Sequence, residues 1–483
     1  ARNNQAVNVV ADKIEADFGL KDVVVRAGKD DYREFLKKRL HHLLHGIGIQ
    51  KLDGSKVYTS KKNVDWIVSE ISRLNKLIVN REKDEMKRGE FLAFYEPGIF
   101  QNLKRKWIDW RIKKEYPFWQ LLFQLEQRIE ARNKEVKRLI KRTFNFNLSE
   151  MLGKYRGEMQ RFLKAIRRQK GAEREFMFDE IRFEKVLTAF PIWVVNTADI
   201  SQVLPLYKHL FDLVIIDEAS QCDVPSALPI LQRGKKAVIV GDPKQLRHLS
   251  FLPKLQQLEL LQKYDLGSLN FELFNYRDNS LLDVVSESIK NQEQVHFLDE
   301  HYRSMPEIIA FSNRHFYGDN LKIMTAKPTN YFLKSVFIHQ IEGKRYKRGY
   351  NKNEALAILE RVQKIIESEV EFEPAMSQSL GILSPFREQV NHLQNLFQKE
   401  LSIEAIQKHR ILIGTPHTFQ GEERDLMFIS FAIDNKTHPS TFQYLNREDV
   451  FNVSITRARS EQHLFLSTDI SKLNAHYLFT KYL

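Results

Sequence analysis

The stretch Phe211–Gln221, FDLVIIDEASQ, decides how the chain is read. Apart from Asp212, residues 211 to 216 are apolar, as in a strand buried on both faces of a parallel sheet. The run stops at Asp217-Glu218, so two carboxylates stand side by side at the strand's carboxyl end. Open α/β sheets bind ligands at that edge. A carboxylate pair there suits a hydrated magnesium ion and an attacking water, which predicts a nucleoside triphosphate. Taken alone, the pair reads equally well as a charged loop.

Composition narrows the setting. At 483 residues the chain exceeds one ordinary core, and two to four domains are expected. Hydrophobic residues make up 42% and charged residues 28%, the balance of a globular protein rather than a disordered one. No run of 18 apolar residues occurs, so no membrane span and no membrane partner are expected. Cys222, the single cysteine, rules out an internal disulfide framework and fits a reducing, cytoplasmic setting. The net charge is +13, and residues 101–180 alone carry 21 Lys and Arg against 11 Asp and Glu. That concentration favours a polyanionic partner, nucleic acid ahead of membrane, although a solvated helix face gives the same count.

Along the chain, residues 1–45 read as helix, strand (KDVVVRAG) and helix. From about 60 to 180 the sequence is charged and helical, with little glycine or proline. Leu122, Leu125, Ile129, Val136 and Leu139 keep a 3/4 spacing interrupted by Arg132, a seam suited to an antiparallel helical stalk. Trp107, Trp110, Phe118 and Trp119 lie among Lys and Arg and could stack bases, but packing inside the stalk is the favoured reading. From 190 onward, PIWVVN, FDLVIID and KKAVIVGD read as buried strands of one sheet, followed by QVHFLD, SLGILSP, RILIGT, DLMFISFAI and QHLFLST. Strands alternating with helices predict parallel sheets with right-handed crossovers. The expected division is 1–50 and 183–285 for a first lobe, 51–182 for a basic helical insertion, and 286–483 for a second lobe.

Further short motifs carry chemistry in order. VIVGDPKQL ends a strand at Gly241-Asp242-Pro243 and continues to Gln245, which can sense a γ-phosphate without changing charge; GDP is also an ordinary turn. EHYRSMPEII offers the Tyr302 ring for stacking and the Arg303 fork for phosphate. In LIGTPHTFQGEERDLMFIS, Gly421 permits close backbone approach and Glu422 can accept ribose hydroxyls. REDVFNVSITRARS reads as a helix with Arg457 and Arg459 near its end, where they could merely complement the helix dipole. Facing Glu218 across a cleft, an arginine would instead neutralise charge in phosphoryl transfer.

As an ordered set these stretches resemble the superfamily 1 DNA and RNA helicases, closest to the up-frameshift-like branch. DEASQ is similar to motif II, GDPKQL to motif III, HYRSMP to motif IV, TPHTFQGEERD to motif V and NVSITRAR to motif VI. ARNNQAVNVVADKI resembles motif Ia, and PIWVVNTADIS the segment before motif II. The likeness covers residues 1–45 and 185–470. It implies an α/β fold of two RecA-like P-loop NTPase lobes, the first incomplete and interrupted by the helical insertion. It further implies that Asp217 holds magnesium through water, Glu218 activates the hydrolytic water, and Gln245 and Arg303 meet the γ-phosphate of ATP. Tyr302 would stack on adenine, Gly421 and Glu422 would approach the ribose, and Arg457 would be the arginine finger. Asn4, Gln5 and Thr197 resemble first-lobe contacts to single-stranded DNA or RNA, and Ser384, Pro385, Thr415 and His417 their second-lobe counterparts. In this branch the insertion carries an accessory domain on a stalk, and movement runs 5′ to 3′.

No G-x-x-x-x-G-K-[ST] occurs in the chain; GIGIQKLDGSKVYTS has misplaced glycines and no buried strand before it. In the family that loop precedes motif Ia, which here starts at residue 3, so the chain reads as part of a longer helicase. By itself it is expected to bind ATP poorly and to unwind nothing, because the loop's N–H groups and lysine supply much of the phosphate affinity. The competing class is a nucleic-acid-binding scaffold without hydrolysis. A nuclease finds no support in the scattered histidines, though a fused or partner nuclease domain remains compatible.

Overall fold

The computed structural model describes every residue except 1–3, 20–22, 28–29, 48–53, 94–97, 115–116, 169–170, 249, 251, 267–274 and 331–332. The chain divides into two compact units, residues 1–212 with 232–235, and residues 213–231 with 236–483.

The first unit runs α1 (Asn4–Phe18), β1 (Val24–Ala27), α2 (Asp30–Leu44), α3 (Gly54–Ala93), α4 (Ile99–Lys114), α5 (Phe118–Lys154), α6 (Arg156–Arg167), α7 (Gly171–Asp179), α8 (Phe183–Ala189) and β2 (Ile192–Val195). The strands β1 and β2 pair in parallel, Val24 opposite Ile192. Their core includes Val24, Leu36, Leu40, Phe162, Ile166, Phe183 and Phe190. The stalk is the pair α3 and α5, of 40 and 37 residues. A 40-residue helix is about 60 Å long. The two helices are antiparallel. Leu74 and Ile78 of α3 pack on Leu121 of α5, while Ser60, near the start of α3, meets Glu135 at 3.2 Å and Arg142 at 2.6 Å.

The seam differs from expectation by one position. Leu122 is exposed and Leu121 buried, because the inward face of α5 starts at Phe118 and the 3.6-residue period then selects 121 and 125. Continued at 3/4 spacing, that face carries Arg128, Arg132 and Glu135, so much of the stalk seam is polar. The tryptophans also depart from the favoured reading. Trp107, Trp110 and Trp119 are 56%, 58% and 68% exposed, and only Phe118 joins the stalk core.

The second unit contains β3 (Phe211–Ile216, begun in the first), α9 (Val224–Gln232), β4 (Gly234–Ile239), α10 (Lys254–Lys263), α11 (Leu281–Ser288), β5 (Glu300–His301), α12 (Pro306–Phe316), β6 (Lys322–Ile323) and β7 (Val336–Gln340). It continues with α13 (Lys352–Ser368), β8 (Leu380–Leu383), α14 (Arg387–Glu400), α15 (Ile403–Lys408), β9 (Leu412–Gly414), β10 (Arg424–Asp434), α16 (Pro439–Leu445), α17 (Glu448–Ile455), β11 (Ala458–Ser467) and α18 (Leu478–Tyr482). Five strands form an all-parallel sheet ordered β7-β11-β10-β8-β9. Both faces are covered, as a parallel sheet requires. Leu380, Ile382 and Phe428 pack with α13 and α14 on one side; Leu383, Met427 and Ile429 pack with α12 and α17 on the other. The architecture is that of a RecA-like α/β domain.

The four expected strands SLGILSP, RILIGT, DLMFISFAI and QHLFLST are β8 to β11. QVHFLD is not a strand. Only Glu300–His301 pairs, with β6, and Val295, Phe297 and Leu298 are exposed, so this apolar run has no sheet to bury it. Nor do PIWVVN, FDLVIID and KKAVIVGD share one sheet: β2 pairs β1, and β3 pairs β4. The FDLVII strand is half-covered rather than buried on both faces, with Ile215 63% exposed, because β3 and β4 form only a two-stranded sheet among the described residues.

Candidate active site

The site grows from the ends of β3 and β4. Val240 donates its N–H to Ile216 O, and Ala219 donates to Val240 O, both at 2.8 Å, so the two carboxyl ends are locked together. Asp217 is exposed there, its Oδ1 accepting from Glu218 N at 2.9 Å. Glu218 adopts a left-handed backbone, φ +56°, an uncommon state for a residue with a side chain. Its Oε2 accepts from Gln221 at 3.1 Å and from Gln420 at 3.4 Å. A larger residue at Gly241 would be crowded: a Cβ would stand 3.0 Å from Leu282 Cδ2 and 3.1 Å from Ser220 N. This glycine lets the loop after β4 lie directly on the carboxylate turn.

That loop is held by Asp242. Its Oδ1 accepts from Lys244 N at 2.8 Å, and its Oδ2 from Gln245 Nε2 at 3.0 Å and Tyr317 Oη at 2.7 Å. Lys244 Nζ pairs with Glu448 at 3.0 Å, and Leu246 is buried against Val450 and Val453 of α17. The segments after β3 and β4 are therefore docked on α12 and α17 within one unit.

Arg457 follows α17 and is 2% exposed. Its guanidinium donates to Val453 O at 3.1 Å and Thr456 Oγ1 at 3.0 Å, and among the described residues no carboxylate pairs with it. Burial, with Arg303 nearby, lowers its pKa to about 10, while Glu218, Tyr317 and Glu423 pull it upward. A buried, unpaired guanidinium is costly unless an anion meets it. Arg303 ion-pairs with Glu423, and so does Arg459, which also reaches Asp425. Burial opposes ionisation of Glu423, yet Arg303 and Arg459 hold its carboxyl below the usual range. His301, packed below, is driven down to about 4 by burial and by Arg303 and Arg457, so it stays neutral and accepts from Ser304 N at 2.9 Å.

Tyr302 presents an exposed ring, its hydroxyl bonded to Glu300. Gly421 has φ +76°, a conformation suited to glycine, and Glu422 pairs with Arg424 at 2.8 Å. The structure thus gathers Asp217, Glu218, Gln245, Arg303 and Arg457 in one unit, with electrostatic coupling between Glu218 and Arg457. Four participants were not anticipated: Gln420, Glu423, Tyr317 and Asn452. Gln420 and Glu423 stand inside the TPHTFQGEERD stretch and Asn452 opens NVSITRAR, but the sequence alone assigns them no role; Tyr317 lies outside the motifs and joins them through Asp242.

The expected strand-contacting residues are scattered. Thr415 is partly exposed and His417 exposed, whereas Ser384 and Pro385 are buried, Ser384 N donating to Gly414 O at 3.1 Å. Their side chains do not face solvent, because β8 and β9 pair right up to this turn. Thr197 lies in the first unit, partly exposed, its hydroxyl 3.5 Å from Asn196 Oδ1. Asn4 and Gln5 open α1, and their side chains lie outside the described residues.

Comparison with known proteins gives the same picture. AAA-domain family models match residues 1–249 and 277–468. An uncharacterized ATP-dependent helicase of Mycoplasma pneumoniae (MG140 homolog) is 26% identical over 70% of this chain and 30% of its own length. Helicase SEN1 of Saccharomyces cerevisiae is 27% identical over 52% of this chain and 11% of its own. An uncharacterized ATP-dependent helicase of Methanocaldococcus jannaschii (MJ0104) is 25% identical over 62% and 42%. The chain thus spans about a third of the length of the Mycoplasma relatives. With the motif II to VI stretches on RecA-like elements and AAA-domain matches along both parts, the chain belongs to the superfamily 1 helicases of the up-frameshift and Sen1 type.

Proposed function

We propose that the chain works within an ATP-dependent helicase that moves along single-stranded DNA or RNA and opens duplexes. The observation that carries this reading is Arg457, a guanidinium buried without a carboxylate yet within the field of Glu218. A triphosphate between them would supply the missing anion, and the arginine would then stabilise the charge of phosphoryl transfer. Glu218 takes the proton of the attacking water, and Gln245 orients that water against the γ-phosphate. Arg303 reaches the same phosphate by leaving Glu423, which keeps Arg459 as its partner. The exposed Tyr302 ring stacks on adenine, while Gly421 and Glu422 border the ribose. The exposed Asp217 carboxylate at the strand end fits a hydrated magnesium ion, which supplies charge neutralisation on the phosphates.

Along the strand, Thr415 and His417 are the solvent-facing contacts of the second unit. Asn4, Gln5 and Thr197 would serve from the first, with Ser384 and Pro385 contributing through their turn. Such contacts bind phosphates more than bases, so little sequence preference is expected. Polarity of 5′ to 3′ rests on family likeness alone.

Glu218→Gln in the full-length protein tests the assignment. ATP should still bind, with turnover abolished. Surviving turnover would remove Glu218 from its role, and a wild-type protein that binds strand but never hydrolyses ATP would favour the scaffold reading instead.

A further inference from the structure

The outer half of the five-stranded sheet is not closed by its helix. On α13, Ala355, Ile358, Leu359 and Val362 form the row that packs on β8 and β10, against Leu380, Ile382 and Phe428. The next row at 3/4 spacing is Ala357, Arg361, Lys364 and Ser368. Its two cations are exposed, and its alanine and serine are short, which leaves space above the sheet. A cavity of about 520 Å³ therefore lies between α13 and the face of β11 and β7, floored by Leu426, Phe465 and Ile341. That is the size of a small-molecule site, and an apolar floor with a few convergent polar groups is its usual make-up.

The polar groups in its wall have a direction. The His463 ring is stacked on Phe337 and Phe428, with centroids 4.9 and 5.1 Å apart, and His339 on Phe465 at 4.6 Å, so both imidazoles are fixed. His463 Nε2 lies 3.2 Å from Glu461 Oε2, and its Nδ1 lies 3.1 Å from His339 Nε2. Burial and Arg361 keep both rings neutral, His463 being driven down to about 3. A carboxylate only accepts, so the single proton of His463 sits on Nε2, and its Nδ1 accepts from His339. The chain thus ends on His339 Nδ1, an imidazole nitrogen with no proton of its own. Arg361 supplies the opposite polarity. Lys364 of the same row is taken by Glu360 at 2.7 Å, while among the described residues no carboxylate pairs with Arg361.

The cavity combines a free guanidinium, a bare acceptor nitrogen and an apolar floor. We propose that it binds a small organic oxyanion that also carries a hydroxyl or N–H donor. The carboxylate or phosphate meets Arg361, the donor meets His339 Nδ1, and the apolar body rests on Leu426 and Ile365. The space holds one small molecule and no length of strand. A metal ion does not suit it, because among the described residues no three His, Cys, Asp or Glu side chains converge as ligands. The site also stands apart from the proposed nucleotide site: none of Glu218, Gln245, Arg303 and Arg457 lines it.

The test measures binding of 4-hydroxyphenylacetate to the full-length protein by ligand-observed NMR, with and without an excess of a non-hydrolysable ATP analogue. This probe has the carboxylate, the flat apolar body and the hydroxyl, and a molecule of its size should bind at about 1 mM or tighter. Phenylacetate, which lacks the hydroxyl, should bind about threefold to tenfold more weakly, and 4-hydroxybenzyl alcohol, which lacks the carboxylate, about tenfold or more. Arg361→Leu should remove the preference for the carboxylate. His339→Phe, which keeps the stack on Phe465, should remove the preference for the hydroxyl. Ala357→Trp should exclude all three probes. Phenyl phosphate run beside phenylacetate decides between a phosphate and a carboxylate head. The site is overturned by an absence of saturable binding at about ten times the expected concentration. It is equally overturned if Arg361→Leu and His339→Phe both keep the wild-type order of affinities, or if the ATP analogue displaces the probe. None of these results bears on the motor reading, which is tested by hydrolysis.

Discussion

The hydroxyl of Tyr317 donates to Asp242 at 2.7 Å, and the same carboxylate oxygen receives the side-chain amide of Gln245 at 3.0 Å. Asn452 of α17 completes the chain, donating to Tyr317 Oη and to Lys244 O, each at 3.0 Å. Burial, with Asp242 beside it, raises the phenol well above its ordinary range, so Tyr317 remains a donor at any working pH. Because the Gln245 amide nitrogen is held by Asp242, its carbonyl oxygen is the atom that would orient water in the proposed reaction. Tyr317, which caps α12, and Asn452 of α17 thereby set the geometry of the loop that follows β4.

Tyr317→Phe leaves the ring packing but removes the bond accepted from Asn452 together with the hydrogen bond to the Asp242 carboxylate. A bond of that kind contributes about 1.5–3 kcal/mol, so turnover should fall roughly tenfold or more if the bond positions Gln245. The Michaelis constant for ATP should barely move, because the lost contact orients water rather than nucleotide. Steady-state ATPase kinetics separate the two. A rise in the constant with turnover unchanged would make Tyr317 a nucleotide-binding residue instead.

Gly241→Ala places a methyl group tightly against the carboxylate turn, with Ser220 N at 3.1 Å and Ala219 N at 3.2 Å, so that turn must shift by a few tenths of an ångström. Overpacking of this sort costs about 1–3 kcal/mol. Urea unfolding should show that loss, and ATPase activity should drop with it, since the displaced turn carries Glu218. Wild-type stability together with wild-type turnover would show that the two loops do not pack as described.

Glu354 supplies a pH signature. It is fully buried, its carboxyl receiving Ser430 Oγ at 2.7 Å, Ala432 N at 2.9 Å, Asn351 Nδ2 at 3.0 Å and Ser467 Oγ at 3.2 Å. Burial outweighs these donors and raises its pKa to about 7. The folded state therefore keeps a proton that the unfolded chain has already lost. Stability from this group is complete below the unfolded carboxyl range, declines as pH rises toward 7, and levels off above it. The difference is on the order of 3 kcal/mol. Denaturant midpoints of the wild type should fall between pH 5 and pH 7, and those of Glu354→Gln should fall less. Parallel curves would place the pH dependence elsewhere.

What could be read from the chain was local. DEASQ, GDPKQL, HYRSMP and NVSITRAR each sit on a single strand end or helix end, so their residues and spacing carry the chemistry directly. Strands β8 to β11 were legible because Leu, Ile and Phe run continuously where both sheet faces are covered. VHFL at 295–298 looks the same in composition, but strandhood depends on a partner strand, and none reaches it among the described residues. The reverse error hid β7, whose VFIHQ mixes polar residues into a sheet edge. Leu121 and Leu122 were exchanged because periodicity fixes the spacing of a seam, not its phase. The roles of Tyr317, Asn452 and Glu423 were unread for a different reason, although Asn452 and Glu423 stand inside the quoted NVSITRAR and TPHTFQGEERD stretches. Their partners Asp242, Lys244 and Arg303 lie 75, 208 and 120 residues away, and no short pattern encodes such pairings.

The buried guanidinium of Arg457 bears most directly on the motor. The decisive quantity is the ATPase rate of the full-length protein, with saturating single-stranded oligonucleotide, for wild type and Arg457→Ala. Wild type should be strongly stimulated by the strand, and the variant should turn over about 10³-fold more slowly while still binding ATP. A variant within about tenfold of wild type, or a wild-type rate indifferent to the strand, would contradict the account.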